Sequence, residues 1–476
     1  MRKNFFYQII YQILILILPF ITTPYVSRVL GVKGIGISSY AYSIAQYFEI
    51  FAALGIALYG NRRIAQVRDD LKKRDRVFWE IIYIRFAASF LTILTYIIFG
   101  FIFHIQELIF WIYLIDILAV MLDISWFFFG IEEFKITTMQ NVAVRIISVI
   151  LVFLVVHHAD DVWKYAAITC LGNFGGQILL WSIALKKIRF IKPVYRDVKQ
   201  HIKPVFLLFI PVIAISLYKL MDKIMLGAIS GEIEVGYYSS AERIINMPTS
   251  VIMALTTVMM PRISNLVEKK DKASVRRLIN HSVDFMSFAS VAICFGIMSV
   301  IEAFVPLFFG EGYERCVDIT MILAPVSIIV SFEQILRTQY LTPNGRDKEY
   351  TISTSLGAVI NLIFNSVFIP KFGASGAAAG TLIAEFTVLI YQITVCRHEL
   401  PLSRYFKQYG VFSLFGFIMF LVVRGMDRWI DFGIFSLFVE IGIGALCYMI
   451  LSLSYMIKKN HVLWLYINSK LICRRK

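Results

Sequence analysis

The sequence predicts an all-α polytopic membrane protein of about fourteen transmembrane helices, and three observations lead there. Of 476 residues, 58% are apolar and 15% aromatic while only 17% are charged, and the mean hydropathy is +0.72. Soluble domains carry roughly 25% charged and about 45–50% apolar residues, so both departures place the chain in lipid and exclude a soluble or disordered protein. The apolar runs have the length of a helical crossing, about 20 residues at a rise of about 1.5 Å for a hydrocarbon core about 30 Å thick. They are unbroken rather than alternating over about ten residues, which argues against a β-barrel. Finally, Lys and Arg concentrate on alternate connections.

The segments lie at 5–27, 34–59, 77–102, 108–129, 138–157, 162–185, 204–229, 235–260, 282–308, 315–341, 349–369, 373–395, 409–423 and 434–457. The first follows Arg2 and Lys3 and resembles a secretion signal. Its length, its Pro19 and the lack of a small-residue cleavage site make it a span instead. With the N-terminus inside, 34 of the 47 Lys and Arg fall on inner segments, 7 on outer ones and six within spans. Positive charge is retained on the cytoplasmic side, so both termini are expected there. The net charge of +15 follows from this asymmetry, suits an anionic inner leaflet and needs no nucleic-acid partner. The longest connections, 60–76, 186–203 and 261–281, are too short for a domain, which argues against an enzyme working outside the cell. The six cysteines are scattered without disulfide or metal spacing, and His157-His158-Ala-Asp160-Asp161 reads as a solvated loop; no cofactor is implied.

Shifting the chain by 200 positions aligns Gly36 with Gly236, Ser39 with Ser239, Ala41 with Ala241, Ile44 with Ile244, Arg62 with Arg262, Val67 with Val267, Lys72 with Lys272 and Arg76 with Arg276. With a short gap, Arg28-Val-Leu-Gly31 lies against Lys223-Ile-Met-Leu-Gly227. Six spans separate the copies, so both enter the membrane in the same direction. Such parallel repeats commonly form two bundles around a central site.

Charges inside spans single out the candidate site. A cation at the bilayer centre costs at least about 2.5–3.5 kcal/mol, so it avoids lipid. Lys219 and Lys223 share one face of span seven with Asp222 between them, too deep to reach the inner headgroups. Arg243 lies in the outer part of span eight, and Arg28 closes span one near that level. Together these four would line the outer half of a cavity with positive charge; the alternative is ion pairing with Asp222 and Glu242. Arg85, Arg145 and Arg337 lie nearer the inner surface, where snorkelling, ion pairing and a substrate role all remain open. Asp222, Glu242, Asp123 and Glu333 are candidates for ion coupling, because buried carboxylates can carry protons or bind sodium. The run from Gly373 to Gly380 indicates close helix packing.

Pro24-Tyr-Val-Ser-Arg-Val-Leu-Gly31, Gly34-Ile-Gly36, Tyr59-Gly-Asn-Arg62, Trp126-Phe-Phe-Phe-Gly-Ile-Glu-Glu-Phe134 and Gly236-Tyr-Tyr-Ser-Ser-Ala-Glu-Arg243 with Pro261-Arg262 resemble the polysaccharide-transporter branch of the multidrug/oligosaccharidyl-lipid/polysaccharide exporter superfamily, Wzx-type flippases in particular. The resemblance implies a MATE-like arrangement of two six-helix lobes, 1–190 and 191–400, with two extra spans and a basic tail in 401–476. It implies alternating access and an undecaprenyl-diphosphate-linked oligosaccharide as substrate, moved to the outer leaflet for capsule, exopolysaccharide or O-antigen assembly beside a polysaccharide polymerase. Arg28 and Arg243 match positions where related lipid II flippases place cavity-lining basic residues; Lys219 and Lys223 have no such support. Two other readings stand beside this one. A multidrug/cation antiporter would need an acid-dominated cavity, and a membrane polymerase or glycosyltransferase would need a long outer loop.

Overall fold

The computed structural model describes residues 2–426 and 433–458; the side chains of 2–16, 210, 211, 214, 215, 217–219, 254, 255, 257 and 258 lie outside the described set. All regular structure among the described residues is helical. The chain divides into two compact units, 1–236 and 237–476.

In the first unit, α1 (Arg2–Ala53) is broken at Gly31, whose φ of 65° belongs to glycine, so it holds the first two sequence segments. The short α2 (Ile56–Val67) buries Ile56, Gly60 and Ile64 on one face. Then come α3 (Leu71–Ile102), and α4 (Leu108–Leu122) and α5 (Ser125–Gly130), which form one crossing interrupted at Asp123. They are followed by α6 (Phe134–Val155), α7 (Val162–Ala184), α8 (Tyr195–Ser230) and the start of α9 (Glu232–Glu268).

Two sequence motifs prove to be one packed block. The indole of Trp126 lies against Gly60, and Gly130 lies against Ile64. Phe78 joins them, 5.6 Å from Trp126 and 5.1 Å from Phe127 between ring centroids. Beside this block, the Tyr59 hydroxyl lies 2.5 Å from His201 Nδ1, and His201 Nε2 lies 2.8 Å from Glu80 Oε2. His201 and Glu80 are each about 1% exposed, so α8 is tied to α2 and α3 by a polar string inside the unit. The opposite end is packed by Tyr96 and Phe110, stacked 4.2 Å apart.

Gly36 and Gly236, matched by the repeat, meet in the structure. A methyl group on Gly36 would overlap the carbonyl oxygen of Glu232, and one on Gly236 would overlap that of Val32. The two backbones therefore cross with only glycine between them.

In the second unit, α10 (Lys272–Phe309), α11 (Arg315–Leu323), α12 (Val326–Gln334), a π-helical stretch (Ile335–Leu341), α13 (Asp347–Phe372) and α14 (Ala374–Cys396) follow α9. The small-residue run packs as expected: Gly376 sits on the Phe368 carbonyl and Gly380 on the Asn365 side chain. The last two helices, α15 (Leu402–Met426) and α16 (Ile434–Lys458), lie against α10. There Tyr448 donates to Phe288 O at 2.8 Å, and Gly416 packs on Phe295 and Val291.

Among the described residues, eleven helical segments are long and apolar enough to cross a membrane. One of these contains the Gly31 break, and α8 and α9 occupy sequence segments seven and eight, so the pattern is compatible with fourteen crossings. The two hairpins also carry similar caps, one position out of the 200-residue register. Asp70 accepts from Lys73 N at the start of α3, and Asp271 accepts from Ser274 N at the start of α10. Both carboxyls are held below the usual carboxylate range, chiefly by these backbone donors. The loop at His157 and His158 is ordered by Asp161, whose carboxylate accepts both backbone N–H groups.

Candidate functional site

Arg28 is exposed on α1, three residues before the Gly31 break. Arg145 is exposed on α6, where the Tyr42 hydroxyl feels its charge. On α8, Asp222 is buried and faces Tyr47 of α1 electrostatically, while Lys223 is half-buried and engaged. The side chain of Lys219 lies outside the described residues.

Arg85 and Asp123, a candidate cavity cation and a candidate coupling acid, are partners of each other. Arg85 is 1% exposed and donates from Nη2 to Asp123 Oδ2 at 2.8 Å and from Nη1 to Ala53 O at 3.1 Å. Asp123 Oδ1 accepts from Ser125 N at 2.9 Å. The break between α4 and α5 exposes backbone groups that this ion pair satisfies, so most of its polar atoms serve the fold, while Arg85 Nε has no partner among the described residues. Arg85→Ala should cost about 3–5 kcal/mol, because it strands a carboxylate. The check is the unfolding midpoint in detergent: the single variant should melt well below the parent, and Arg85→Ala with Asp123→Asn should recover part of the loss.

In the second unit, Arg243 is half-buried on α9, close enough to Tyr313 to act on its hydroxyl. Among the described residues it has no acidic side chain within ion-pair distance. The neighbouring Glu242 is half-buried and engaged. The Arg315 guanidinium lies over the Tyr237 ring, 5.2 Å from its centroid, and Tyr238 Oη lies 3.0 Å from Thr381 Oγ1. Two arginines and three tyrosines thus share one end of this unit. Sequence reasoning missed Arg315, which counted there only as an outer-loop charge.

Deeper in the same unit, Glu333 of α12 is buried beside Glu385 of α14, with Arg337 nearby. Gln339, in the π-helical stretch, is fully buried and has no partner for either side-chain polar atom among the described residues.

A groove of about 800 Å³ in the first unit is of a different kind. Phe48, Phe51, Phe99 and Phe110 line it with Met221 and Ile224, and its charged residues are Glu107 and Glu232. It suits hydrocarbon rather than phosphate, and none of the candidate cations lines it.

A multi-pass, all-helical chain with an internal repeat and a half-buried cation that has no acidic partner among the described residues has the build of a membrane transporter. A family model described as polysaccharide biosynthesis protein matches residues 1–267, more than half of the chain, and the chain belongs to that family. A model described as MatE matches 208–367. A protein of Escherichia coli (strain K12) described as an O-antigen transporter is 25% identical over 407 residues, covering 84% of this chain and 97% of that one. The Staphylococcus aureus capsular polysaccharide biosynthesis protein CapF is 23% identical over 403 residues, covering 82% and 98%. Among solved structures, a lipid II flippase in an inward closed conformation superposes with a TM-score of 0.74 at 15% identity, covering 94% of this chain and 98% of that one.

Proposed function

We propose that the protein is a flippase that carries undecaprenyl-diphosphate-linked oligosaccharide units from the inner to the outer leaflet by alternating access. The observation that carries this reading is Arg243, a half-buried cation about 16 Å along α9 from Glu232 with no acidic partner among the described residues. Such a charge is too costly to leave in lipid or dry protein, so it implies a wet cavity and an anionic ligand. A diphosphate provides that anion, and the planar donor fork of Arg fits it. Arg315 extends the basic lining within the second unit, and Arg28 and Lys223 are the candidate substrate cations of the first.

The lobes of this reading are 1–190 and 191–400, with 401–476 as an addition, and both termini face the cytoplasm of a bacterium. The chain moves its substrate without altering it, and a polysaccharide polymerase uses the product. In this reading the neighbouring Glu333 and Glu385 are the place for a coupling proton. The MatE match favours cation antiport as a second reading, but Arg243 and Arg315 give the site the wrong sign.

Cells lacking the protein should accumulate lipid-linked oligosaccharide on the cytoplasmic leaflet, shielded from a periodate probe added outside. Proteoliposomes containing it should expose the same lipid to that probe. If the deleted strain instead fails to make the lipid-linked unit, the flippase reading is wrong.

A further inference from the structure

The hairpin between α9 and α10 encloses a basic pocket that the transport reading does not use. Arg262, Asn265 and Leu266 from the end of α9 face Ser274, Arg277 and Leu278 from the start of α10 around a depression of about 410 Å³. Both arginines are exposed, and among the described residues neither has an acidic side chain within ion-pair distance. The acid that acts on Arg277 is Asp271, whose carboxylate accepts from Ser274 N at 3.0 Å as the cap of α10.

The counterpart hairpin in the first unit, α2 to α3, treats its cations differently. Arg68 pairs with Glu132, Arg74 bonds Asp75 and the Lys187 carbonyl, and Lys73 lies 3.4 Å from Asp70. Both hairpins keep the capping aspartate. The first pairs Arg68, Lys73 and Arg74 with acids and leaves Arg62 and Arg76 without an acidic side chain within ion-pair distance among the described residues, whereas in the second two such arginines line one cavity.

We propose that this pocket binds the phosphate of an anionic membrane lipid. Two guanidinium forks on opposite walls can grip one phosphate from both sides, and Asn265 and Ser274 add neutral hydrogen-bonding groups. Leu266 and Leu278 suit the apolar neighbour of a lipid headgroup rather than a free ion. Depth agrees: α10 has 38 residues, about 57 Å of helix against a core of about 30 Å, so its first turns extend into the headgroup layer. The Lys/Arg asymmetry places that layer on the cytoplasmic side, where anionic lipids attract basic segments. This inference concerns a resident lipid and does not depend on the transport reading.

The test titrates the purified full chain in detergent with short-chain phosphatidylglycerol, phosphatidylcholine or inorganic diphosphate and follows the unfolding midpoint. Phosphatidylglycerol should stabilise the parent. Its half-saturation should weaken about tenfold for Arg262→Gln and for Arg277→Gln, and about a hundredfold for the pair, the usual scale for losing hydrogen bonds to a charged group. The Arg262→Lys/Arg277→Lys pair, which keeps the charge but loses the forks, should fall between. A charge-matched control, Arg196→Gln/Lys199→Gln at the start of α8, should behave like the parent. Phosphatidylcholine and diphosphate should give no shift that depends on the pocket. The proposal is overturned if phosphatidylglycerol acts equally on parent and pocket variants, if the charge-matched control loses as much, or if diphosphate alone reproduces the effect.

Discussion

Arg243→Ala and Arg28→Ala, each expressed at the parental level, should lower polymer export about ten- to a hundredfold. Each variant removes one charge-assisted contact to a diphosphate, worth about 1.5–3 kcal/mol. Arg243→Lys should recover part of the activity, since Lys retains the charge but not the paired donor geometry. The two sites should also differ in stability. Arg243 is half-buried and has no acidic partner among the described residues, so its loss should leave the unfolding midpoint unchanged or raised, whereas Arg85→Ala lowers it. The measurements are sugar polymer at the cell surface and flipping in proteoliposomes. Parental flipping in both alanine variants would sink the anionic-site reading.

Gly36→Ala and Gly236→Ala should each prevent accumulation of folded protein. An added methyl group would lie 2.7 Å from the carbonyl carbon of Glu232 in one case and 3.0 Å from that of Val32 in the other. Those obstacles are backbone atoms, which no rotamer change can clear, so the cost should reach or exceed the usual overpacking range of about 1–3 kcal/mol. Gly175→Ala and Gly410→Ala, where a methyl group would meet nothing within 4 Å, should be silent. Yield of monodisperse protein after size exclusion distinguishes the two groups; equal yields would mean that the crossing can open.

These cases mark how far the chain could be read in advance. The crossings were legible because a hydrocarbon core demands an apolar run of fixed length, and the observed helices follow those runs, with α3, α8, α9, α10 and α15 extending several residues beyond them. Gly36 and Gly236 were visible as a repeated identity, but that they touch depends on how two distant helices cross. Arg85 and Asp123 were each visible as charges at membrane depth, yet they lie 38 residues apart and nothing local marks them as partners. The motifs Tyr59 to Arg62 and Trp126 to Phe134 pointed to a family, while their physical work is to pack against each other. Glu80 and His201 carried no signal at all, since a lone acid near one helix start and a lone imidazole near another look like interfacial residues.

That last pair has a mechanical corollary. A covalent connection such as 186–203 transmits little torque by itself, but the Tyr59, His201 and Glu80 string clamps the base of α8 to two neighbouring rods. Tilting α8 must therefore drag α2 and α3 along, or first break two sheltered hydrogen bonds with no water at hand to replace them. The joint makes the beginning of α8 the stiff end of that lever.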